Sequence, residues 1–531
     1  MGVPVVPPPP PPAARPPSGP GSTEKGLKDG ALGLFSSMVI GLASTAPAYS
    51  LAATLGVIVA VVGFQSPIVI ILAFIPMFLI AYAYKQLNEA DPDCGTTFTW
   101  ASRAFGPRTG WMGGWGIIAA DIIVMANLAQ IAGAYGFQLI GADGLAENTT
   151  WVTVVGVLWI AVMTLICYIG IELSANLQKV LLTIEIVVLF LLAITALVKV
   201  YGGTAPSVAT EVSWSWFNPA KIDSLDALTK GILAGIFIYW GWDTAVSVNE
   251  ETKDRGRTPG RAAVMSTVIL LLVYVVVTVS AQAFAGVGDK GIGLANPDNS
   301  GDVLSSLGNE VFGTGGWGGF ATKLLIFMVL TSAAASTQTT ILPTARTTLS
   351  MAAFKAIPDR FARMHPRFLT PTWSTVGMGL ASIAFYVMLT RVSENVLADS
   401  IGSVGLMIAF YYGLTGFACV WYYRKVLTRS PRDLWGKGIM PGIGGVLLLY
   451  FFINACVVYS ASDYGSTSWT LPFPPHWTFG GVFVTGIGAL VLGGILMLVY
   501  RVIRPAFFRK ETIAVSAHQP GDGPLPERGP R

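Results

Sequence analysis

The sequence has few charged residues. Of 531 residues, only 12% are Asp, Glu, Lys or Arg, whereas 53% are hydrophobic and the mean hydropathy is +0.61. A soluble protein of this length needs a larger charged fraction to cover its surface with groups that water solvates. The composition therefore excludes a soluble globular protein and predicts an integral membrane protein.

Cysteine and histidine are also scarce. They lie far apart in the chain, at Cys94, Cys167, Cys419, Cys456, His365, His476 and His518. Such spacing excludes a disulfide framework and a zinc site. The run GTGGWG at 313–318 matches the glycine pattern of dinucleotide sites, but no strand pattern precedes it. The sequence therefore predicts no metal, no other cofactor and no enzyme.

Long apolar runs recur along the chain. A helix needs about 20 apolar residues to cross the hydrocarbon core, and about twelve runs approach this length. We number them spans 1 to 12, and they cover residues 31–62, 67–88, 110–140, 151–170, 177–200, 227–249, 262–286, 320–345, 373–390, 396–423, 439–460 and 479–503. This pattern predicts an all-α membrane protein with about twelve transmembrane helices.

The basic residues are distributed unevenly across the predicted membrane. If the spans alternate in direction, 27 of the 33 Lys and Arg residues fall on one side, and only 6 on the other: Lys199, Lys221, Lys230, Lys290, Lys323 and Arg391. Because basic loops stay in the cytoplasm, we expect a multi-pass plasma-membrane protein with both termini cytoplasmic. The net charge of +4 follows from this topology and does not indicate nucleic acid binding.

Both ends of the chain have the composition of tails. Residues 1–28 contain a proline run from Pro7 to Pro12, and residues 506–531 are polar and rich in proline and glycine. Such segments cannot bury enough apolar surface to offset the entropy of ordering. We expect both to be disordered on the cytoplasmic side.

Two spans are interrupted near their centres. In span 1, Pro47 lacks an N–H group and disfavours the helical conformation of Ala46, so a break is expected before Pro47. In span 6, Gly241 loosens the helix, and Asp243 places a carboxyl group where a charge costs roughly 2.5–3.5 kcal/mol on insertion scales. One broken span in each half of the chain is typical of transporters built from inverted repeats.

Three motifs carry a resemblance to a known family. They are DPDCGTTFTWASRAFGPRTGWMGGW at 91–115, FIYWGWDTAVSVNEETKDRGRTPGRA at 237–262 and ARTTLSMAAFKAIPDRFARMHPRFLTPTW at 345–373. From about residue 28 to 505 the chain resembles an amino acid–polyamine–organocation permease of the bacterial amino acid transporter type. The resemblance implies a five-plus-five inverted-repeat fold with broken spans 1 and 6. The repeats would be residues 29–200 and 201–430, followed by two further helices in 431–505.

The break in span 1 predicts a site for a carboxylate. The amides of Ser44, Thr45 and Ala46 are expected to begin a new helical segment and to leave N–H groups unpaired beside the positive end of its dipole. The alternative is a proline kink in which the Ser and Thr hydroxyl groups cap their own backbone.

The break in span 6 predicts a complementary site for an ammonium group. Carbonyl groups near Phe237, Ile238 and Tyr239 end the first half of the span, at the negative end of its dipole. Trp240 either covers the substrate or only packs between helices. Asp243 matches an acidic position of the family, and it either contacts the substrate or accepts hydrogen bonds from the unwound backbone.

Glu185 lies in the apolar run of span 5. It falls where similar sodium-independent cationic amino acid transporters carry a lysine that takes the place of a coupling cation between spans 1, 5 and 8. Because glutamate reverses the charge, we do not carry that role over. An acid there can attract a cation alongside the hydroxyl groups of 331–340, take up a proton, or face a water-filled vestibule. Our hypothesis is proton coupling through Glu185.

The acidic pair at the end of span 6, Glu250 and Glu251, is expected to pair with the basic loop that follows it. The sequence as a whole predicts a secondary transporter of a small amino acid in a lipid membrane, with a proton or sodium ion as the coupling partner. The alternatives are a polyamine or inorganic-cation transporter of the same fold, and a nutrient receptor that binds its ligand without moving it.

Overall fold

The computed structural model describes residues 23–299, 303–313 and 315–513. Nearly all of its regular structure is α-helical. The helices are α1 (Leu34–Ser44), α2 (Pro47–Val62), α3 (Ser66–Ala90), α4 (Thr97–Phe105), α5 (Pro107–Leu139), α6 (Asp143–Ala146), α7 (Thr149–Ile169), α8 (Ile171–Tyr201), α9 (Leu225–Ile238), α10 (Thr244–Ser247), α11 (Thr258–Ala285), α12 (Val303–Phe312), α13 (Gly316–Ala353), α14 (Thr372–Val392), α15 (Glu394–Tyr423), α16 (Pro431–Asp433), α17 (Met440–Ser460), α18 (Gly481–Ile503) and α19 (Pro505–Phe508).

Short elements connect these helices. A π-helix spans Leu434–Ile439 and runs directly into α17. Single 3₁₀ turns lie at Gly63–Gln65, Trp214–Phe217, Pro219–Lys221, Asn249–Glu251, Pro297–Asn299 and Asp359–Ala362. The strands β1 (Ser468–Thr470) and β2 (Thr478–Gly480) form an antiparallel hairpin between α17 and α18.

The long helices confirm the predicted all-α membrane architecture. In the described part of the chain, ten helical runs are long and apolar enough to cross a membrane. The first of them, Leu34–Ala90, has 57 residues and contains both span 1 and span 2. Span 6 is not among the ten, because its helices α9 and α10 are separate and short. One further crossing for span 2 and one for span 6 give the twelve that the sequence predicts.

Spans 1 and 6 are both broken where the sequence indicates. In span 1, α1 ends at Ser44 and α2 begins at Pro47, and Ala46 between them has φ 45°. In span 6, α9 ends at Ile238 and α10 begins at Thr244, and Gly241 between them has φ 118°. Because α-helical residues have φ near −60°, one residue with positive φ stops each helix.

The spans pack in two groups around these breaks. Spans 1, 2, 6 and 7 contact one another through α1, α2, α3, α9 and α11, whereas spans 3, 4, 8 and 9 do so through α5, α7, α13 and α14. Small residues such as Ala333 and Ala335 let α13 approach its neighbours closely. In the most apolar stretches of α7 and α18, only 28% and 17% of the residues are buried, as expected for helices that face lipid. The repeat boundaries 29–200 and 201–430 stay a prediction.

The structure shortens both predicted tails. Leu27 is fully buried, and the N–H group of Leu32 donates to the Glu251 carbonyl (2.9 Å). At the other end, Phe507 and Ile513 are buried in a cluster with Phe98. The prediction of tails at 1–28 and 506–531 is therefore wrong for residues 23–28 and 506–513. Residues 1–22 and 514–531 lie outside the described residues.

Two buried ion pairs hold the end of span 6 on the side predicted to be cytoplasmic, one to span 8 and one to the N-terminal segment. Arg346 of α13 donates from Nε and Nη2 to the two carboxylate oxygens of Glu251, each at 2.9 Å, and both side chains are fully buried. Glu250 instead binds Lys25, at 2.6 Å. The prediction that Glu250 and Glu251 pair with the following basic loop is therefore wrong, because tertiary packing brings in partners from the N-terminal segment and from α13.

The Arg346–Glu251 pair gives a prediction about stability. Arg346→Met leaves the Glu251 carboxylate buried without its partner, so the free energy of unfolding is expected to fall by about 3–5 kcal/mol. Arg504→Met, which removes a partly exposed pair with Asp359 (3.3 Å), is expected to cost about 0–1 kcal/mol. Melting temperatures of the purified variants in detergent measure both changes. Equal shifts for the two variants would contradict the structural importance of the buried pair.

Candidate functional site

The N–H groups at the break in span 1 form hydrogen bonds within the protein. The N–H groups of Thr45 and Ala46 donate to the carbonyl groups of Leu42 and Ala43 in the last turn of α1, both at 3.2 Å. The prediction that these N–H groups are unpaired is therefore wrong. All three predicted residues, Ser44, Thr45 and Ala46, are buried at the break, and their role in binding stays a prediction.

The N–H groups that the break leaves without a partner inside the helix lie at the start of α2. The Glu185 carboxylate and the Ser332 hydroxyl accept hydrogen bonds from them. The Ala48 N–H donates to Glu185 Oε1 at 2.7 Å, and the Ser332 hydroxyl donates to the same oxygen at 2.7 Å. The Tyr49 N–H in turn donates to Ser332 Oγ at 3.3 Å. A carboxylate is stabilised at this position by the positive end of the α2 dipole. The Glu185 carboxylate of span 5 thus contacts spans 1 and 8.

The break in span 6 leaves carbonyl groups at the end of α9 without their usual partners in the next helical turn. The Ile238 carbonyl accepts a hydrogen bond from the Tyr274 hydroxyl of α11 (2.6 Å), and the Phe237 carbonyl accepts one from the backbone N–H of Trp240 (3.1 Å). Tyr239 is fully buried, and its hydroxyl donates to the Ile70 carbonyl at 3.2 Å. These carbonyl groups form the negative end of the α9 dipole inside the helix bundle.

The two breaks touch each other. The hydroxyl groups of Ser44 and Thr244 are 2.9 Å apart, and the Ser336 hydroxyl of α13 donates to the Ser44 carbonyl at 3.1 Å. A Cβ atom at Gly241 would lie 2.7 Å from the Ser44 carbonyl oxygen, closer than atoms can pack. Glycine is therefore required at 241, both for its φ of 118° and for this approach.

Asp243 is held by two tyrosines of span 10. The Tyr412 hydroxyl donates to Asp243 Oδ1 at 2.8 Å, and the Tyr411 hydroxyl donates to Asp243 Oδ2 at 3.2 Å. Trp240 extends this network, because its indole N–H donates to the Tyr411 oxygen at 2.5 Å. The neighbouring Trp242 packs against the ring of Tyr412, with centroids 5.0 Å apart. Both tryptophans are therefore part of the packing between spans 6 and 10.

Three buried acids near the centre of the bundle have no basic partner in the described part of the chain. Asp121, Glu185 and Asp243 are each at most 3% exposed, and none of them forms an ion pair with any residue that the structure describes. Hydroxyl and amide donors bind them instead, including the Thr344 hydroxyl at Asp121. A group that carries positive charge into this region, whether an ammonium ion or a proton, would compensate their charge.

Several site residues are not predicted from the sequence. Tyr274, Tyr411 and Tyr412 bind the broken span from α11 and α15. The signal that could have found them is the polar hydroxyl group in an apolar run, which must pair with something inside the bundle. The hydroxyl-rich segment 331–340, which the sequence places near Glu185, supplies Ser332 and Ser336.

Comparison with known proteins gives a consistent picture. A family profile described as "Amino acid permease" matches residues 31–499. The chain is 27% identical to an uncharacterized transporter of Mycobacterium tuberculosis over 392 residues, which cover 72% of this chain and 78% of the relative. It is 26% identical to the vacuolar cationic amino acid transporter 4 of Arabidopsis thaliana over 353 residues, 62% of this chain and 53% of the relative. It is also 21% identical to the low-affinity putrescine importer of Escherichia coli over 418 residues, which cover 78% of this chain and 86% of the relative.

The contact between the breaks gives a second prediction. Gly241→Ala should force the two breaks apart, so we expect transport to be abolished and the melting temperature to fall. Gly405→Ala is the matched control, because a Cβ at this glycine of α15 would meet open space and alanine favours helix by about 0.5–1 kcal/mol. Its melting temperature and transport rate are expected to be unchanged or higher. Normal activity of Gly241→Ala would show that the close approach is not required.

Proposed function

The chain belongs to the amino acid permease family, and on that premise we propose that it is a secondary active transporter that moves a small amino acid across the plasma membrane by alternating access, coupled to a proton. It is a multi-pass membrane transporter and not an enzyme. The observation that carries the finer proposal is the contact between two broken helices beside three buried acids that have no basic partner among the described residues.

The two breaks offer complementary charges to an amino acid. The end of α9 and Asp243 present oxygen atoms that suit an ammonium group. The N–H groups of Thr45 and Ala46 are held by bonds of 3.2 Å, at the long end of the normal range, and a substrate carboxylate would replace those bonds. Under this proposal Ser44, Thr45 and Ala46 contact the carboxylate of the substrate, while the end of α9 contacts its amino group.

Alternating access requires two groups of spans to rock against each other. Spans 1, 2, 6 and 7 contact one another, as do spans 3, 4, 8 and 9, and both breaks lie against α13, where the two groups also contact each other. Movement of one group around this point would expose the site first to one side of the membrane and then to the other. The excess of basic residues on the side of the membrane where the predicted topology places both termini supports cytoplasmic termini.

The surroundings of Glu185 favour a proton over a metal cation as the coupling ion. A sodium ion is bound by oxygen lone pairs, whereas Glu185 Oε1 is surrounded by donors, an N–H from Ala48 and an O–H from Ser332. These donors and the positive end of α2 suit a negative carboxylate and repel a metal cation. In the described part of the chain, Glu185 Oε2 is buried without a partner, and it is free to take up a proton.

A polyamine transporter of the same fold is the second candidate. Three acids that lack basic partners within the described residues suit a substrate that carries only positive charge, and one relative is named a putrescine importer. The two candidates differ at span 1, because a polyamine has no carboxylate to bind there.

Uptake into proteoliposomes tests the proposed function. We expect a labelled amino acid, chosen by a thermal-shift screen, to accumulate against its gradient. Its decarboxylated amine should compete more weakly by roughly 1.5–3 kcal/mol, about ten- to a hundredfold, because it loses charge-assisted hydrogen bonds. Equal competition by the amine would favour the polyamine transporter. Binding without accumulation would indicate a receptor.

Glu185→Gln tests the coupling ion. Glutamine keeps a carbonyl oxygen for the Ala48 N–H but cannot carry a proton, so substrate exchange should continue while uptake driven by an imposed pH gradient is lost. Glu172→Gln is the control, since this residue of the same helix forms an exposed pair with Lys28 (2.7 Å) and should leave both activities unchanged. If Glu185→Gln still accumulates substrate with unchanged pH dependence, Glu185 is not the coupling residue.

A further inference from the structure

A lysine of the N-terminal segment is enclosed by acidic groups. Lys25 Nζ lies 2.8 Å from Asp93 Oδ2 and 2.6 Å from Glu250 Oε1, and its side chain is only 10% exposed. Asp93 is further held by the Ser350 hydroxyl, which donates to Oδ1 at 2.7 Å. Burial alone would raise the pKa of Asp93, but the Lys25 ammonium and these hydrogen bonds lower it to about 2. The carboxylate is therefore charged at neutral pH.

The partners of Lys25 lie on elements that belong to different groups of spans. Glu250 ends span 6, Asp93 lies between α3 and α4, and Ser350, whose Oγ lies 3.5 Å from Lys25 Nζ, belongs to α13 of span 8. The Lys25 ammonium therefore bridges the end of span 6 to the end of span 8. A buried bridge of this kind must break if the two ends separate.

The backbone extends the same connection. We call residues 23–32 the N-terminal latch. The Leu32 N–H donates to the Glu251 carbonyl (2.9 Å), and the Lys253 N–H donates back to the Leu32 carbonyl (2.8 Å). The latch is thus fixed to the end of span 6 by the backbone and to the loop before α4 by Lys25. It continues into α1, the first half of the broken span 1.

We propose that Lys25 holds the cytoplasmic side of the substrate path closed, and that its ammonium group must leave Asp93 and Glu250 before the site can open to the cytoplasm. The proposal rests on the proposed transport function. The physical reason is that withdrawal of the ammonium leaves two neighbouring carboxylates buried without compensation, so their repulsion and their hydration both favour separation of the latch from spans 6 and 8.

Cys94 is a native reporter for this movement. Its thiol is fully buried, and Sγ lies 3.6 Å from Lys25 Nζ. Burial and Glu250 raise the pKa of the Cys94 thiol, whereas Lys25 lowers it. Removal of the lysine charge therefore makes the thiol intrinsically less reactive toward maleimide, because the thiolate is the nucleophile. Faster alkylation after such a change can only report greater access.

The experiment compares two lysines of the latch in the detergent-purified full chain. N-ethylmaleimide alkylation is followed by mass spectrometry at Cys94 and at the buried cysteines Cys167 and Cys419. Lys25→Met, which removes the charge and keeps an unbranched side chain only one atom shorter, should speed alkylation of Cys94 at least tenfold and leave the other two unchanged. Lys28→Met is the control, because Lys28 forms only an exposed pair with Glu172, and it should match the wild type.

A second reporter shows whether the whole path opens. Thr244 is buried at the contact between the two breaks, so Thr244→Cys should react with a small methanethiosulfonate reagent faster in the Lys25→Met background than in the Lys28→Met background. Lys25→Arg, which restores the charge, should return both reporters toward the wild-type rates.

Three outcomes would overturn the proposal. They are unchanged alkylation of Cys94 in Lys25→Met, an equal rise at Cys94, Cys167 and Cys419, which indicates general loosening, and a rise at Cys94 without a rise at Thr244→Cys, which indicates a local cap. Because alkylation needs neither substrate nor flux, these results are readable even if wild-type proteoliposomes show no uptake. Failure of the proposed function and failure of the latch are thus distinguished.

Discussion

The structure depends on the requirement that every backbone N–H and C=O group inside a membrane has a partner within the protein. A helix can break in the bilayer only where neighbouring helices meet this requirement. At the break of span 1 the Ala48 N–H is bound by Glu185, and at the break of span 6 the Ile238 carbonyl is bound by Tyr274. Spans 5 and 7 therefore make the breaks possible. Under the proposed function, the longer bonds of the Thr45 and Ala46 N–H groups at the same break are the ones that a substrate carboxylate would replace.

Charge is divided between the centre of the bundle and one of its ends. At the centre, Glu185 and Asp243 are held by neutral donors, and under the proposed function they accept a positive charge from a proton or a substrate. At the end predicted to be cytoplasmic, Lys25 and Arg346 neutralise their acidic partners in buried ion pairs. A buried pair resists separation because each charge would be left in a medium of low dielectric constant. Under the proposed function, the end is therefore suited to remain closed, and the centre is suited to bind the substrate or the coupling ion.

The features that the sequence predicts well are those with a local cause. The break before Pro47 follows from a missing N–H group, and the break at Gly241 follows from the conformational freedom of glycine, so both could be placed from neighbouring residues. The partners of Glu250 and Asp243 have no local signature. Lys25 is 225 residues from Glu250 and lies in a segment with the composition of a tail, and Tyr412 is 169 residues from Asp243.

The sequence by itself determined the class of protein, the number of spans, the two broken helices and the family, because hydrophobic length, proline and glycine act over a few residues. Only the tertiary structure decided which groups satisfy the breaks. It turned the expected free amides of Thr45 and Ala46 into bonded ones, and it brought Glu185 to the start of α2. The reason is that hydrogen bonds and ion pairs depend on distances of about 3 Å between helices that are far apart in the chain, and sequence spacing does not encode such distances.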